Sequence, residues 1–416
     1  MEQRTVPAHM HALSVARQPI FDCDQRVYAY ELLFRDGVTS AFPNVSGEQA
    51  TNSVLMSSYV DIGLEQIAGS SRVFVNFTEE TLLSQLPMAF PTDKLVVELL
   101  ESIEPTDEVI EACRSLRHDG YTLALDDFEY DVRFEPLLSL SSIVKLDFLI
   151  TPLEQIESMA LDFKSRGHAL LAEKVETAEQ FQWALERGFD YFQGFFFSRP
   201  EVIQKNGLKS VKVHLLQLLA EISKPDFDLD AIEALVTKDV STSYRLLKYV
   251  NSAGRRTTSE ISTIRHAIMM MGARDLRNFV GMVLTADLAA NKPLELTRLA
   301  LIRARQLELI GKACAPGRDH SEFFLLGLFS LLDAMLDVDM DSVLAQLPLS
   351  NDLKEALLGS DGAMTGYLEL TRAFERGDWH ALVQWHEALG ISQSDTASTY
   401  VDALAWADEM MRVQTS

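Results

Sequence analysis

Cysteine is scarce in this chain, which has only three cysteines in 416 residues. Cys23, Cys113 and Cys314 lie too far apart along the sequence for the spacing of a zinc site. A disulfide framework is also excluded, because such frameworks concentrate several cysteines in a short chain. This usage is typical of a reduced protein, and we predict a cytoplasmic location.

Long apolar runs and an excess of basic charge are also absent. The longest apolar run, residues 323–332, covers about half of the roughly 20 residues that a helix needs to cross a bilayer. Lys and Arg number 37 against 61 Asp and Glu, for a net charge of −24. We therefore predict no membrane association, and the charge argues against nucleic acid as a partner, because both surfaces attract cationic proteins.

The first 200 residues repeat one pattern, in which a short apolar segment ends in a polar or ionisable residue. The polar residues that end or interrupt these segments are Glu31, Asn76, Glu98, Asp126, Asp127, Lys145, Asp147, Glu173 and Gln193. From Asn76 onward the segment ends recur every 19 to 28 residues, which is about one strand and one crossover helix. Near-continuous apolar strands that alternate with helices predict a (β/α) TIM-like barrel in residues 1–204. In such barrels the functional groups lie at the carboxyl ends of the strands.

The chemistry of these residues points to a metal site. Several carboxylates and an amide, with no clustered His or Cys, are the oxygen donors that Mg²⁺ or Mn²⁺ prefers. A pair of such ions can stabilise both the attacking and the leaving oxygen of a phosphodiester. Any one of these residues by itself is better explained as a helix cap or a surface carboxylate. The agreement of six segment ends favours a site.

From residue 205 onward the apolar period changes to 3.6, which predicts an all-helical domain in residues 205–416. One predicted helix begins after an N-cap at Ser262 or Thr263 and stops at Gly272. Two more are predicted at 293–310 and 322–336.

Eight sequence blocks of the first domain resemble, in order, those of the EAL domain, the bacterial phosphodiesterase that hydrolyses cyclic di-GMP to the linear dinucleotide. The blocks are Gln18-Pro19-Ile20, Glu31-Leu32-Leu33-Phe34-Arg35, Val75-Asn76-Phe77-Thr78, Glu98-Leu99-Leu100-Glu101, Asp126-Asp127-Phe128, Lys145-Leu146-Asp147, Ala172-Glu173-Lys174-Val175-Glu176-Thr177 and Gln193-Gly194-Phe195.

The resemblance implies a role for each matching residue. The first metal would be bound by Glu31, Asn76, Glu98 and Asp126, and the second by Asp127. Glu173 would be the general base, with Lys145 beside it as the second catalytic residue. Gln18 and Arg35 would contact the dinucleotide, and a guanidinium is suited to its phosphate. The supporting residues would be Glu101, which anchors the loop after Asp127, and Asp147, Glu176 and Gln193.

The sequence departs from the family pattern in three places. Leu32 replaces the alanine of Glu-Ala-Leu, and Lys174 replaces a glycine beside the general base. The loop that normally runs Asp-Phe-Gly-Thr-Gly runs Asp127-Phe128-Glu129-Tyr130-Asp131, without either glycine. Loss of both glycines removes backbone freedom in a loop through which the family often forms homodimers.

The helical half resembles the HDOD domain, a relative of the HD phosphohydrolases that usually serves as a protein-interaction module. The matching segments are Lys238-Asp239-Val240, Arg245-Leu246-Leu247, Asn251-Ser252-Ala253, Ile261-Ser262-Thr263-Ile264 and residues 267–272. Residues 205–416 contain no His-Asp doublet, so this half is expected to bind a protein partner rather than a metal.

Three functions remain open from the sequence. The retained metal ligands favour an active cyclic di-GMP phosphodiesterase. The altered loop and Lys174 favour a receptor that binds the dinucleotide without turnover. The helical domain, which has no metal motif, favours an interaction scaffold. In such a scaffold the barrel would be vestigial and would be expected to have lost the ligand residues, which this sequence retains.

Overall fold

The computed structural model describes residues 14–35, 64–126, 131–200, 263–315, 317–347 and 349–415, and scattered residues between 228 and 250. Within the chain, two compact units can be distinguished. The first comprises Met1–Phe196, Ala373–His386 and Ile391–Ser398, and the second comprises Phe197–Arg372, Glu387–Gly390 and Thr399–Ser416.

The first unit is built on a closed barrel of eight strands that follow one another around the barrel in sequence order. The strands are β1 (Ser14–Asp22), β2 (Val27–Arg35), β3 (Arg72–Phe77), β4 (Leu95–Leu99), β5 (Thr122–Leu125), β6 (Ile143–Asp147), β7 (Ala169–Glu173) and β8 (Tyr191–Gln193). β1 is antiparallel to both of its neighbours, and all the other pairs are parallel. This confirms the predicted barrel.

Helices connect the parallel strands, as the sequence pattern predicts. They are α1 (Leu64–Ala68), α2 (Glu79–Leu83), α3 (Asp107–His118), α4 (Glu135–Leu140), α5 (Leu153–Ser165) and α6 (Ala178–Glu186). Their starts follow from local chemistry. Thr106 caps α3 by accepting a hydrogen bond from the Val109 amide, and Thr177 and Gln180 form a capping box at α6.

The amino-terminal half of the barrel interior is filled by a layer of apolar side chains. Its buried members are Ile20, Ala29, Phe74, Val96, Ala124, Ile143 and Leu171, and Tyr28, Ala169 and Tyr191 pack against them. Tyr28 and Tyr191 stack with ring centroids 4.2 Å apart. The interior is thus a packed core, and the barrel has no open pore at this level.

The C-terminal half of the chain is helical wherever the structure describes regular elements beyond residue 228. The helices are α7 (Ile264–Leu288), α8 (Leu294–Cys314), α9 (His320–Phe329), α10 (Leu332–Leu336), α11 (Met340–Leu344), α12 (Asn351–Leu357), α13 (Thr365–Arg376), α14 (Trp379–Leu389) and α15 (Gln393–Thr415). The helices α8 and α9 approach closely at Gly327, where a Cβ atom would lie 2.4 Å from the Ala304 nitrogen. A side chain at position 327 would therefore not fit.

One helix prediction is confirmed and another needs correction. Thr263 is the N-cap of α7, and Gly272, with φ 74° and ψ 169°, is non-helical and ends the first helical stretch of α7, as predicted; a second stretch continues to Leu288. The predicted helix at 322–336 is two helices, α9 and α10, with a break at Ser330 and Leu331. The uniform apolar character of residues 323–332 hides this break from a periodicity analysis.

Among the described residues, no helix is both long enough and apolar enough to cross a membrane.

Candidate functional site

A layer of polar side chains lies directly above the apolar layer of the barrel. Each of its members is two residues from a core residue of the same strand, on the side of the strands' carboxyl ends. Because side chains alternate between the two faces of a strand, a step of two residues keeps the side chain inside the barrel. The pairs of core and polar residues are Ile20 and Gln18, Ala29 and Glu31, Phe74 and Asn76, Val96 and Glu98, Ala124 and Asp126, Ile143 and Lys145, Leu171 and Glu173, and Tyr191 and Gln193.

Lys145 lies at the centre of this layer, and its side chain is completely buried. Its ammonium nitrogen is 2.6 Å from Glu98 Oε1, 2.6 Å from Asp126 Oδ1 and 2.8 Å from Glu173 Oε1. Glu31 Oε1 is more distant, at 3.9 Å. One buried cation thus faces four carboxyl groups, which leaves the layer with surplus negative charge if all four are ionised.

Burial and charge act in opposite directions on these groups. Burial raises the pKa of the Glu98 and Glu173 carboxyl groups well above the ordinary range, although Lys145 partly opposes this. Burial alone would lower the pKa of the Lys145 ammonium, but the four surrounding carboxylates, Glu173 foremost, raise it well above its usual value. The surplus negative charge thus favours the charged form of Lys145 and makes Glu98 and Glu173 hold protons more readily than an exposed carboxyl group does.

Amide side chains hold Glu31 from both sides. Asn76 Nδ2 donates to Glu31 Oε1 at 3.2 Å, and Gln193 Nε2 donates to Glu31 Oε2 at 2.6 Å. The same Gln193 amide nitrogen is 3.0 Å from Gln18 Oε1. This network orients the carboxylate of β2 towards the barrel interior, and it brings together four residues from four strands.

Asp147 and Lys174 form an ion pair at the mouth of the barrel. Asp147 is 2% exposed, and its Oδ1 also accepts hydrogen bonds from the Leu149 and Ile150 amides. Lys174 has φ 53°, in the left-handed region that a glycine adopts at no steric cost. Its side chain is 49% exposed and reaches over to the end of β6. The sequence identified Lys174 as a departure but did not predict this partner.

The donor chemistry of the layer fits a hard divalent cation. Several buried oxygens of the polar layer have no hydrogen-bond partner among the described residues, including Asn76 Oδ1, Glu98 Oε2, Glu173 Oε2 and Gln193 Oε1. Unsatisfied buried oxygens are costly, and a bound cation would satisfy them. As they stand, no three acidic side chains of the described residues converge in metal-binding geometry. The Lys145 ammonium lies between them.

The structure places the remaining predicted residues less centrally. Glu101 is exposed, just beyond β4. Glu176 is half-buried at the start of α6, where its amide donates to Gln180 Oε1 at 2.7 Å. Arg35 ends β2, but its side chain lies outside the described parts, as does the whole of Asp127. The roles predicted for these residues therefore stay predictions.

One glycine has a function that its sequence context does not reveal. Gly194 follows Gln193 with φ 144°, and a Cβ atom there would lie 2.0 Å from the Val175 carbonyl oxygen. The Val175 amide in turn donates to the Gln193 carbonyl at 2.9 Å. Gly194 thus allows the backbones after β7 and β8 to contact each other. This contact fixes the position of Gln193 beside Glu31. The Gln-Gly pair was the only signal in the sequence.

Comparison with family profiles gives two matches that follow one another in the chain. The profile of the EAL domain matches residues 51–200, and that of the HDOD domain matches residues 208–332.

Solved structures that match this chain include two complexes with cyclic di-GMP. BlrP1 of Klebsiella pneumoniae, with calcium and cyclic di-GMP, is 21% identical with a TM-score of 0.38, and the match covers 47% of this chain and 58% of that one. A standalone EAL protein of Vibrio cholerae O395, bound to cyclic di-GMP, is 21% identical with a TM-score of 0.35, and the match covers 47% of this chain and 94% of that one.

Two relatives match this chain almost from end to end. The cyclic di-GMP phosphodiesterase CdgJ of Vibrio cholerae is 35% identical over 97% of this chain and 94% of its own length. The protein YuxH of Bacillus subtilis is 34% identical over 95% of this chain and 98% of its own length. With an EAL domain followed by an HDOD domain, and with similarity to CdgJ and YuxH over almost its whole length, the chain belongs to the family of EAL–HDOD proteins.

Proposed function

We propose that this protein hydrolyses cyclic di-GMP to the linear dinucleotide in the EAL barrel. The observation that carries the proposal is the polar layer, in which Glu31, Asn76, Glu98, Asp126 and Glu173 surround Lys145 at the carboxyl ends of the strands. The relative CdgJ, which has the name of a cyclic di-GMP phosphodiesterase, supports the same reaction.

The residues that would hold a divalent cation are Glu31, Asn76, Glu98 and Asp126, and Mg²⁺ or Mn²⁺ suits their oxygen atoms. When bound, such an ion supplies Lewis-acid activation of water and of the phosphodiester. Asp127, next to Asp126 in the sequence, would serve a second ion. The unpartnered oxygens Asn76 Oδ1 and Glu98 Oε2 support this assignment.

Glu173 is the proposed general base. Its Oε2 is buried and has no hydrogen-bond partner among the described residues, so it can take the proton of an attacking water. Its pKa is raised by burial, which makes it a better proton acceptor when it is ionised. Lys145, 2.8 Å from the other oxygen, keeps a positive charge beside the carboxylate in either protonation state. It also orients the side chain for the transfer.

Gln18 and Arg35 are the proposed contacts to the dinucleotide. Gln18 lies at the rim of the polar layer, next to Gln193. Asp147, Gln193, Glu101 and Glu176 would support the site from around it. Asp147 and Gln193 make the hydrogen bonds described above, which hold the backbone after β6 and the Glu31 carboxylate.

The test is to incubate the full chain with cyclic di-GMP and Mg²⁺ or Mn²⁺ and to follow the linear dinucleotide by chromatography. Glu31→Ala and Glu173→Gln should each lower the rate by at least about a hundredfold, since they remove a metal ligand and the general base. The matched control is Glu111→Gln on the exposed face of α3, which should leave the rate unchanged. Product that forms equally in Glu31→Ala would contradict the proposal, because the activity would then not belong to this site.

A receptor that binds cyclic di-GMP without turnover is the second candidate. The Lys174–Asp147 ion pair favours it, because a lysine side chain lies at the mouth where the family has a glycine. Isothermal titration with wild-type protein decides between the two. Binding of cyclic di-GMP without formation of the linear product favours the receptor. If Lys174→Gly then gains turnover, the lysine is the cause of the missing activity. Binding together with product formation excludes the receptor.

We further propose that this protein is cytoplasmic and that its HDOD domain binds an unidentified protein partner. A homodimer is the corresponding proposal for assembly. Light scattering of the full chain, with and without cyclic di-GMP, would test the dimer, and a single monomeric mass under both conditions would refute it.

A further inference from the structure

The first compact unit contains more than the barrel. It also includes the C-terminal segments Ala373–His386 and Ile391–Ser398. The first of these contains the end of α13, the turn at Gly377 and the start of α14. We define the end of α13 and this turn, Arg376 and Gly377, as the C-terminal turn.

The C-terminal turn is hydrogen-bonded to the polar layer. Gln18 Nε2 donates to the Arg376 carbonyl oxygen at 3.3 Å, although the two residues are 358 positions apart. Through its other amide atom, Gln18 accepts from Gln193, and Gln193 donates to Glu31. The backbone of Arg376 is thus only two side chains away from a proposed metal ligand.

The Arg376 side chain lies over the ring of Phe195, with the guanidinium carbon 5.3 Å from the ring centroid. Phe195 follows Gln193 by two residues, so this contact also lies at the carboxyl end of β8. Arg376 is exposed. A guanidinium held against an aromatic ring is preorganised, and the N–H donors at its edge suit a phosphate oxygen.

The backbone of the turn is adapted to this position. Gly377 has φ 65°, and a Cβ atom there would lie 2.7 Å from Leu33 Cδ1. Leu33 is on β2, two residues beyond Glu31 towards the mouth. A glycine both adopts the left-handed conformation and permits the close approach to β2.

We propose that Arg376 is a further substrate-binding residue, which binds a phosphate group of the cyclic dinucleotide at the rim of the barrel. The proposal rests on the proposed function, since it needs cyclic di-GMP as the ligand. Its physical basis is charge: four carboxyl groups surround one ammonium in the polar layer, and cationic groups at the rim favour the approach of an anionic dinucleotide to it. The stacked guanidinium supplies one from the C-terminal segment of the chain.

The experiment measures cyclic di-GMP binding by isothermal titration with Mg²⁺, in a Glu173→Gln parent that cannot turn the ligand over. Adding Arg376→Ala should weaken Kd by at least about tenfold, as expected for loss of a charge-assisted hydrogen bond. Arg376→Lys should recover part of the loss, because the charge remains but the planar donor pair is gone. The difference between parent and Arg376→Ala should shrink at high salt.

A matched control is Arg187→Ala. Arg187 also lies over an aromatic ring, 3.9 Å from the centroid of Trp183, but it follows α6 at the opposite end of the barrel. It should leave Kd unchanged. The thermal midpoint of Arg376→Ala should equal that of the parent, because the side chain is exposed, so a weaker Kd would not reflect unfolding.

Three outcomes would overturn the inference. An unchanged Kd in Arg376→Ala would show that the guanidinium does not touch the ligand, while the proposed function would stand. A tighter Kd would show that the C-terminal turn competes with the dinucleotide. If the parent itself and the wild-type chain bind no cyclic di-GMP, the proposed function fails, and the inference fails with it.

Discussion

The Lys145 ammonium lies 2.6 Å from Glu98 Oε1, and both side chains are fully buried. A buried ion pair of this kind contributes little net stability, but removal of one partner leaves an uncompensated charge. Lys145 therefore keeps the acidic layer stable when the site holds no other cation.

The first prediction is that Lys145→Met lowers the free energy of unfolding by about 3–5 kcal/mol near pH 8. The loss should be smaller near pH 6. Glu98 and Glu173 have raised pKa values in the folded state, so folding takes up protons and stability falls as the pH rises. Without Lys145 these two pKa values rise further, so the free energy of unfolding declines more steeply as the pH rises. Urea denaturation at both pH values measures the effect.

The control for this prediction is Lys164→Met, which removes a surface ion pair with Asp190. It should cost less than about 1 kcal/mol at either pH. An equal loss for Lys145→Met at pH 6 and pH 8 would show that packing, and not charge, is responsible.

The second prediction concerns the ion pair of Lys174 with Asp147. Lys174→Met should destabilise the protein more than Lys174→Gly, because both remove the partner of a buried carboxylate but only glycine relieves the left-handed backbone. The difference should be about 1 kcal/mol, the usual cost of that conformation for a residue with a Cβ atom. Thermal unfolding of the two variants gives the comparison. In an Asp147→Asn background, the loss of stability that comes from removing the Lys174 charge should disappear. If that loss persists, the ion pair is not its cause.

The third prediction is that Gly194→Ala costs at least about 3 kcal/mol of stability, because the new Cβ atom would meet the Val175 backbone, which cannot rotate away. Gly120→Ala is the matched control. Gly120 also has a positive φ, 96°, but nothing lies within 4 Å of its Cβ position. It should cost only about 1 kcal/mol. Equal costs, measured by urea denaturation, would show that backbone conformation alone matters at position 194.

The fourth prediction concerns His168, which is buried just before β7, with its Nδ1 atom 3.1 Å from the Ser141 carbonyl oxygen. Burial lowers its pKa from 6.5. The unfolded chain therefore binds a proton more readily than the folded chain below about pH 6.5, and the stability contributed by neutral His168 is lost as the pH falls through the folded pKa. Relative to His168→Asn, the wild-type protein should therefore lose free energy of unfolding as the pH falls from 7 to 5, whatever the direction of the overall profile. Parallel pH profiles for the two proteins would refute this.

Much of the barrel and its site followed from the sequence. Parallel strands bring all their carboxyl ends to one side, so polar residues at regularly spaced segment ends had to meet there. This is why Asn76, Glu98, Asp126, Lys145 and Glu173 could be predicted together from spacing and residue type. The same logic failed for residues 322–336, where a continuous apolar run carries no signal for a break between two helices.

Tertiary structure decided how these groups face one another. Lys145 lies among the carboxylates because its side chain points from β6 into the barrel. Lys174 reaches Asp147 because its backbone, at the end of the neighbouring strand, is left-handed. The contact between Gln18 and Arg376 had no local signal at all, because the residues are 358 positions apart. Sequence periodicity reports only on neighbours within one element, so it determined which residues line the barrel. Which of them pair, and which distant segment reaches the rim, was set by closure of the barrel and by packing of the chain around it.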